Sequence, residues 1–299
     1  MNHETVKHRI NRLNVWKQGG QRAPHKPLLL LYALGRSLRG EGRLMPYAEV
    51  DRDLRKLLAE FGPSRKSYHP EYPFWRLQND GLWEVMDAED LQLRQSSTDA
   101  RKSELIKYDV QGGFTKEVQD LLCSDRNLST EIVTQLLNAS FPASIHEDIL
   151  QAIGIDLEET PARVKVRDPY FRDRVLRAYE YQCAVCGFNV RVGDSLVALE
   201  AAHIKWHQAG GPDRENNGIA LCTMHHKLFD RGAFTISESM KMQVSEIAHG
   251  TFGFNEWLLA FHGQPIRAPQ RPLYYPQSAF VEWHVREVFK GYSRHCVHA

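Results

Sequence analysis

Two metal-site patterns share one short stretch of this chain, and they limit its fold more than anything else in the 299 residues. The first is Cys183-x2-Cys186 followed by Cys222-x2-His225; the second is His203, Asn217 and His226. Four soft or borderline ligands in two close pairs suit tetrahedral zinc with no open position, which makes that ion structural. Cys222 and His225 share a face if they lie on a helix, and Gly187 closes a knuckle after Cys186. Such a zinc stabilises a unit with little core of its own. The plainer alternative is a buried cysteine cluster that holds no metal.

His226 is turned by about 100° from His225 on the same helix, so it points away from the zinc. The run Leu199–Ile204 reads as a strand, with His203 on one face and Glu200 and Ala202 on the other. Asn217-Gly218 begins the turn back toward Cys222. A strand, a loop and a helix clamped by zinc are expected to bring His203, Asn217 and His226 into one cleft. Phosphodiester cleavage needs a base that works near neutral pH and a cation for the developing charge. Histidine suits the first task. His226, with a carboxylate, could hold the cation, and Asn217 would orient the loop after His203. A lone histidine is more often structural, but the spacing beside a zinc knuckle favours catalysis.

Cys183-Ala-Val-Cys186, Glu200-Ala-Ala-His203-Ile204, Asn217-Gly-Ile-Ala-Leu-Cys222 and His225-His226-Lys227-Leu-Phe-Asp230 resemble an HNH (ββα-metal) endonuclease of the McrA-like kind. The likeness covers about residues 168–245, and Trp283-His284 with Val288-Phe289 is similar to a C-terminal helix of such proteins. It implies His203 as general base, Asn217 as the middle residue and His226 as ligand of a catalytic divalent cation, Mg2+, Mn2+ or similar. Many members carry Asp or His immediately before the first His, where this chain has Ala202. Glu200, on the same strand face, is expected to supply the second ligand. Lys205, His207, Arg214, Lys227 and Arg231 are expected to contact the DNA backbone.

Composition fits two ordinary domains, with 25% charged and 42% hydrophobic residues. Three of five cysteines grouped with a histidine favour metal binding in a reducing compartment over disulfides. Cys123 and Cys296 are left over and read as inert. No run of eighteen apolar residues and no signal pattern is found, so a cytoplasmic protein with no membrane partner is expected. The net charge of +1 announces no nucleic-acid partner, although basic residues dominate from Lys7 to Lys66.

Apolar spacing predicts helices over Glu4–Trp16, from Pro27 to about Arg39, and over Tyr47–Phe61, Lys116–Leu122, Thr130–Leu137 and Ile145–Ile153. Phe74–Leu77 and Leu82–Val85 read as two strands of a hairpin turning at Asn79-Asp80-Gly81. Residues 156–166 read as a linker, and Asp168-Pro169 as the start of a helix reaching about Tyr181.

His25 and Lys26 precede Pro27 at a helix start, where positive side chains oppose the helix dipole. They make sense if an anion, naturally a phosphate, shares that end with the free N–H groups. A surface loop with basic tips pointing to water is the other reading. Tyr68-His69-Pro70-Glu71-Tyr72-Pro73-Phe74-Trp75 is a rigid aromatic surface, either a core-entry loop or the wall of an apolar pocket. Ala23-Pro24-His25-Lys26-Pro27 with four following leucines, and His69-Pro70-Glu71-Tyr72-Pro73-Phe74, resemble the sulfur-binding domain of phosphorothioate-dependent HNH restriction enzymes. The resemblance implies a pocket for a phosphorothioate sulfur formed by His25, Lys26, Tyr68, His69, Pro70, Tyr72 and Pro73. Some members have Arg where Lys26 stands, and lysine offers no bidentate fork.

The expected fold class is α+β: a mainly helical DNA-reader domain with a short β-hairpin (1–155), a linker (156–166) and a zinc-stabilised ββα-metal nuclease domain (167–299). The expected activity is a modification-dependent restriction endonuclease on double-stranded, phosphorothioated DNA, working as a homodimer. A methylcytosine-dependent HNH enzyme and a non-catalytic zinc-stabilised DNA-binding protein are the alternatives.

Overall fold

Leu28, Leu29, Leu30, Leu31 and Leu34 lie on every side of one helix and are all fully buried, so that helix runs through the middle of its unit. The computed structural model describes residues 1–14, 21, 23–89, 91–94, 99–155 and 170–294. The expected linker 156–166, Asp168-Pro169, Trp16 and Cys296 lie outside the described residues. The chain divides into two units, Met1–Ser140 with His146–Arg163, and Phe141–Ile145 with Val164–Ala299. Among the described residues no helix is long and apolar enough to cross a membrane.

The first unit opens with α1 (His3–Asn11), capped by the Asn2 side chain accepting from the Thr5 amide at 2.8 Å. The central helix is α2 (His25–Leu38); β1 (Met45–Pro46) and α3 (Tyr47–Phe61) follow. Next come α4 (Glu71–Arg76), β2 (Trp83–Met86), α5 (Lys102–Lys107) and β3 (Gln111–Phe114). The unit closes with α6 (Lys116–Ser124), α7 (Arg126–Ser140) and α8 (His146–Ile153). Helices α3, α4, α6, α7 and α8 all pack on α2. Five buried leucines on α2 contribute roughly 1.5–3 kcal/mol each by leaving water.

The expected hairpin is corrected. Residues 71–76 are helical and Leu77–Asp80 continue as a 3-10 turn, so only the second expected strand forms. Two prolines set helical φ at the start of α4, and the Phe74 amide donates to the Pro70 carbonyl at 3.1 Å. Gly81, at φ +69°, ends the 3-10 turn rather than a hairpin. Strand β2 instead pairs antiparallel with β3, which also pairs with β1. A Cβ at Gly113 would sit 2.0 Å from the Arg43 carbonyl oxygen, so only glycine lets these strands approach.

In the second unit α9 (Phe171–Ala178) precedes the small ribbon of β4 (Arg191–Val192) and β5 (Ser195–Leu196). Then β6 (Leu199–His203) pairs antiparallel with β7 (Gly218–Cys222), which runs directly into α10 (Thr223–Asp230). The pairing opposes Leu199 to Cys222 and His203 to Gly218. Both α9 and α10 pack on this ribbon. A second ribbon, β8 (Phe234–Ile236) with β9 (Met242–Val244), is followed by α11 (Phe252–Trp257) and α12 (Ser278–Glu287). The core gathers Phe171, Val175, Leu199, Ile219, Leu221, Phe229 and Phe234 between these layers. The protein is thus α+β, with a helical first unit and a ββα arrangement in the second.

Candidate active site and metal centre

Cys183, Cys186, Cys222 and His225 converge, with ligand atoms all within 4.8 Å of one another. The Gly187 amide donates to the Cys183 carbonyl at 2.9 Å, curling the first pair into a knuckle. The knuckle is tied to β7 by the Ala184 amide, which donates to the Ala220 carbonyl at 2.8 Å. The second pair is local, from the end of β7 to the first turn of α10. His225 Nδ1 lies 3.2 Å from Cys222 Sγ and 3.7 Å from Cys183 Sγ, and Cys186 and Cys222 Sγ are 4.0 Å apart. Ligands about 2.0–2.3 Å from a tetrahedral zinc lie roughly 3.5–3.8 Å from each other. The set fits zinc.

Two further features agree. Hydrogen bonds from Cys186 and Cys222 push Cys183 far down toward thiolate, and Cys222 is pushed up in turn. Three crowded thiols cannot all ionise without a cation among them. His225 Nε2 faces the Trp257 carbonyl at 2.8 Å, which leaves Nδ1 as the ligating nitrogen.

The trio His203, Asn217 and His226 is distributed over two groups. His203 stacks on Phe171 of α9 with ring centres 4.0 Å apart, and its Nε2 lies 2.7 Å from Asp213 Oδ1. His207 is 6.0 Å from the His203 ring. Fully buried Asn217 clasps the intervening loop. Its Oδ1 accepts from the Lys205 amide at 2.9 Å, and its Nδ2 donates to the carbonyls of Lys205 and Pro212, each at 3.0 Å.

Alternation along β6 turns Glu200 the other way, toward α10. There Glu200 Oε2 is 2.6 Å from His226 Nδ1, while Asp230 Oδ2 is 3.0 Å from His226 Nε2. Burial disfavours charge on His226, yet Asp230 first and then Glu200 outweigh it and hold the ring up at about 9. Its protonated form also holds Glu200 below the usual carboxylate range. Asp230 accepts from Trp206 Nε1 at 2.8 Å and from the Ser144 hydroxyl. Sequence reasoning singled out neither Asp213 nor Asp230 for a role. A carboxylate four residues after His226 on one helix face was the available signal for Asp230. Asp213 had none.

Of the expected backbone contacts, Arg214 is exposed, and Lys205, His207, Lys227 and Arg231 are half-buried.

In the first unit His25 starts α2, whose first turn has no side-chain cap and no acidic residue. Burial, then the charges of Arg65 and His69, push His25 down to about 4. An anion at this end of α2 would relieve that unfavourable charge on His25. Arg65 was not foreseen. Lys26 is buried, with its ammonium 2.5 Å from Asp80 Oδ2. Asp80 is placed by the turn at Gly81 and also accepts from the Asn14 amide at 2.9 Å. Pro70 and Pro73 are buried, Tyr68 and Tyr72 are half-buried, and His69 is exposed. His69 Nδ1 pairs with Glu71 at 3.0 Å, and its ring lies 5.3 Å from that of Tyr72. Arg76 and Arg94 stack over Tyr72 at 4.7 and 5.1 Å.

The family model described as ScoMcrA-like, DNA sulfur-binding domain matches residues 3–158, and a model described as HNH endonuclease matches residues 183–237. Among solved structures, the sulfur-binding domain of ScoMcrA complexed with phosphorothioated DNA is 24% identical, with a TM-score of 0.45. That likeness spans 52% of this chain and 96% of the other. The corresponding domain of SprMcrA, also complexed with phosphorothioated DNA, is 24% identical over 52% of this chain and 95% of its own, with a TM-score of 0.43. The Type IV phosphorothioation-dependent restriction endonuclease ScoMcrA itself is 24% identical over 60% of this chain and 39% of that one, at a TM-score of 0.44. No curated protein matches this sequence.

Proposed function

Since this chain belongs to the family carrying a ScoMcrA-like DNA sulfur-binding domain, we propose that it is a modification-dependent restriction endonuclease. It reads phosphorothioated double-stranded DNA through residues 1–155 and hydrolyses nearby phosphodiesters through residues 167–299, with 156–166 as linker. The observation that carries this reading is the pairing of that family match with an HNH endonuclease match on one chain.

Zinc held by Cys183, Cys186, Cys222 and His225 is structural. His226 and Glu200 would hold the catalytic divalent cation, Mg2+ or Mn2+. When bound, that ion stabilises negative charge on the pentacovalent phosphate and the leaving oxygen. His203 donates Nε2–H to Asp213, which puts its lone pair on Nδ1, the atom that takes the proton from water. Asn217 keeps the loop from Lys205 to Pro212, which follows that histidine, in place. Lys205, His207, Arg214, Lys227 and Arg231 contact phosphates and so position the duplex.

In the reader, His25, with Arg65 and His69, meets the modified phosphate. Tyr68, Pro70, Tyr72 and Pro73 form the apolar wall for sulfur, which is larger and less strongly hydrated than oxygen. Lys26, held by Asp80 at the same helix end, completes the phosphate-binding set. In this reading the enzyme acts in the cytoplasm as a homodimer, the arrangement that suits cutting of palindromic duplex sites.

The test uses matched duplexes carrying sulfur, 5-methylcytosine or neither, for binding and for cleavage with Mg2+ or Mn2+. Selective cutting of the sulfur duplex, lost in His203→Ala with zinc and folding kept, is expected. Preference for the methylated duplex would replace the reader assignment. Binding without cutting in any divalent ion would leave a DNA-binding protein.

A further inference from the structure

His226 has a carboxylate at each ring nitrogen, and the two carboxylates are not alike. Asp230, at Nε2, has a side chain only 1% exposed, whereas Glu200, at Nδ1, is 43% exposed. Asp230 is fixed from three directions. Its Oδ1 accepts from Trp206 Nε1, and its Oδ2 meets both His226 Nε2 and the Ser144 hydroxyl. Glu200 reaches His226 from the neighbouring strand on a longer, half-exposed side chain, which can turn from a proton to an ion. Carboxylates on opposite nitrogens of one imidazole cannot both join that imidazole on a single cation.

From this arrangement we infer that Asp230 is a positioning residue: it keeps the proton of His226 on Nε2, so that Nδ1, on the Glu200 side, is the atom that binds the cation. The inference rests on the nuclease reading proposed above and adds the ligating atom and the residue that selects it. Metal-binding histidines characteristically donate their other N–H to a carboxylate or carbonyl. The donor count around Asp230 makes the assignment testable. An indole N–H can only donate, so whatever stands at position 230 must present an acceptor to Trp206. In Asp230→Asn that acceptor is the amide oxygen, which turns the NH2 group toward His226 Nε2. The ring must then accept at Nε2 and carry its proton on Nδ1, the wrong atom for the ion. The change is nearly isosteric, and the amide can still hydrogen-bond the Ser144 hydroxyl.

The experiment uses the full, zinc-loaded chain labelled with 15N-histidine. Long-range 1H–15N correlations report which nitrogen of His226 is protonated with Mg2+ present, and His226→Gln assigns the signal. Mn2+ titration followed by electron paramagnetic resonance reports ion affinity. Wild type is expected to show an Nε2–H ring, and Asp230→Asn an Nδ1–H ring with affinity for Mn2+ lowered roughly ten- to hundredfold. An Nδ1–H ring in Mg2+-loaded wild type overturns the inference, and that readout needs no variant to fold. So does an Asp230→Asn protein whose Mn2+ affinity stays within about twofold while Glu200→Ala and His226→Gln both weaken it; the nuclease reading survives that result. If wild type binds no Mn2+, or if neither Glu200→Ala nor His226→Gln weakens binding, the cation-site reading itself falls and the inference falls with it.

Discussion

Asp213 shows how one side chain can set the chemistry of another. Its oxygen, 2.7 Å from His203 Nε2, selects the ring's tautomer as well as its orientation. In Asp213→Asn the amide can face the ring with its NH2 group, and the lone pair then moves to Nε2, away from the side on which the proposed mechanism has His203 take a proton from water. We expect the single-turnover cleavage rate to fall roughly 10²–10⁴-fold, the range of a lost general base, with zinc content unchanged. A rate equal to wild type would remove Asp213 from the machinery. His25 offers a second residue-level test. Because burial, then Arg65 and His69, hold its folded pKa near 4 against an ordinary 6.5, the unfolded chain binds more protons between those values. Stability therefore rises with pH across that window, is whole above 6.5 and is lost as pH falls toward 4. Urea midpoints of His25→Gln should depend less on pH over this range than those of wild type. Identical slopes would assign the acid sensitivity to another group.

Among the elements, the three-stranded sheet of the first unit depends most on a single residue. Strand β3 passes so close to the chain before β1 that a methyl at Gly113 meets the Arg43 carbonyl, a backbone atom that cannot swing aside. Gly113→Ala should destabilise the first unit by about 1–3 kcal/mol, the usual cost of overpacking, without loss of zinc from the second. Calorimetry on the full chain checks this; an unchanged first-unit transition would mean that the strands can part freely. Much of the helical layout was legible in advance. Tyr47–Phe61 spans the same residues in both descriptions, because its apolar positions recur at helical spacing. The hairpin at Asn79-Asp80-Gly81 was misread because a left-handed glycine ends a 3-10 turn as readily as it turns a hairpin. Nothing local in Pro-Phe-Trp-Arg says that Phe74 will pack on Tyr47, with ring centres 5.0 Å apart.

For the molecule as a whole, two units with separate cores imply that metal removal acts on one of them. A thiol-competitive chelator should lower the unfolding temperature of the second unit, whose ββα layers a zinc on the Cys and His cluster would clamp, and leave the first in place. Two calorimetric transitions, of which only one responds to chelator and recovers with zinc, are the expected result. If both move together, or neither moves, the zinc site does not stabilise the second unit in the way described.

The amino-acid sequence alone sets those features of this protein that depend on proximity along the chain. Cys183 with Cys186, and Cys222 with His225, lie within a single turn of backbone, so covalent geometry brings each pair together whatever else happens. The same holds for His226 turning away from His225. Groups that meet across the fold left no such trace. Lys26 finds Asp80, His203 finds Asp213 and Asp230 finds Trp206 only after strands and helices are packed. A carboxylate's role depends on which donor it faces, and that is decided by tertiary contact rather than by residue type.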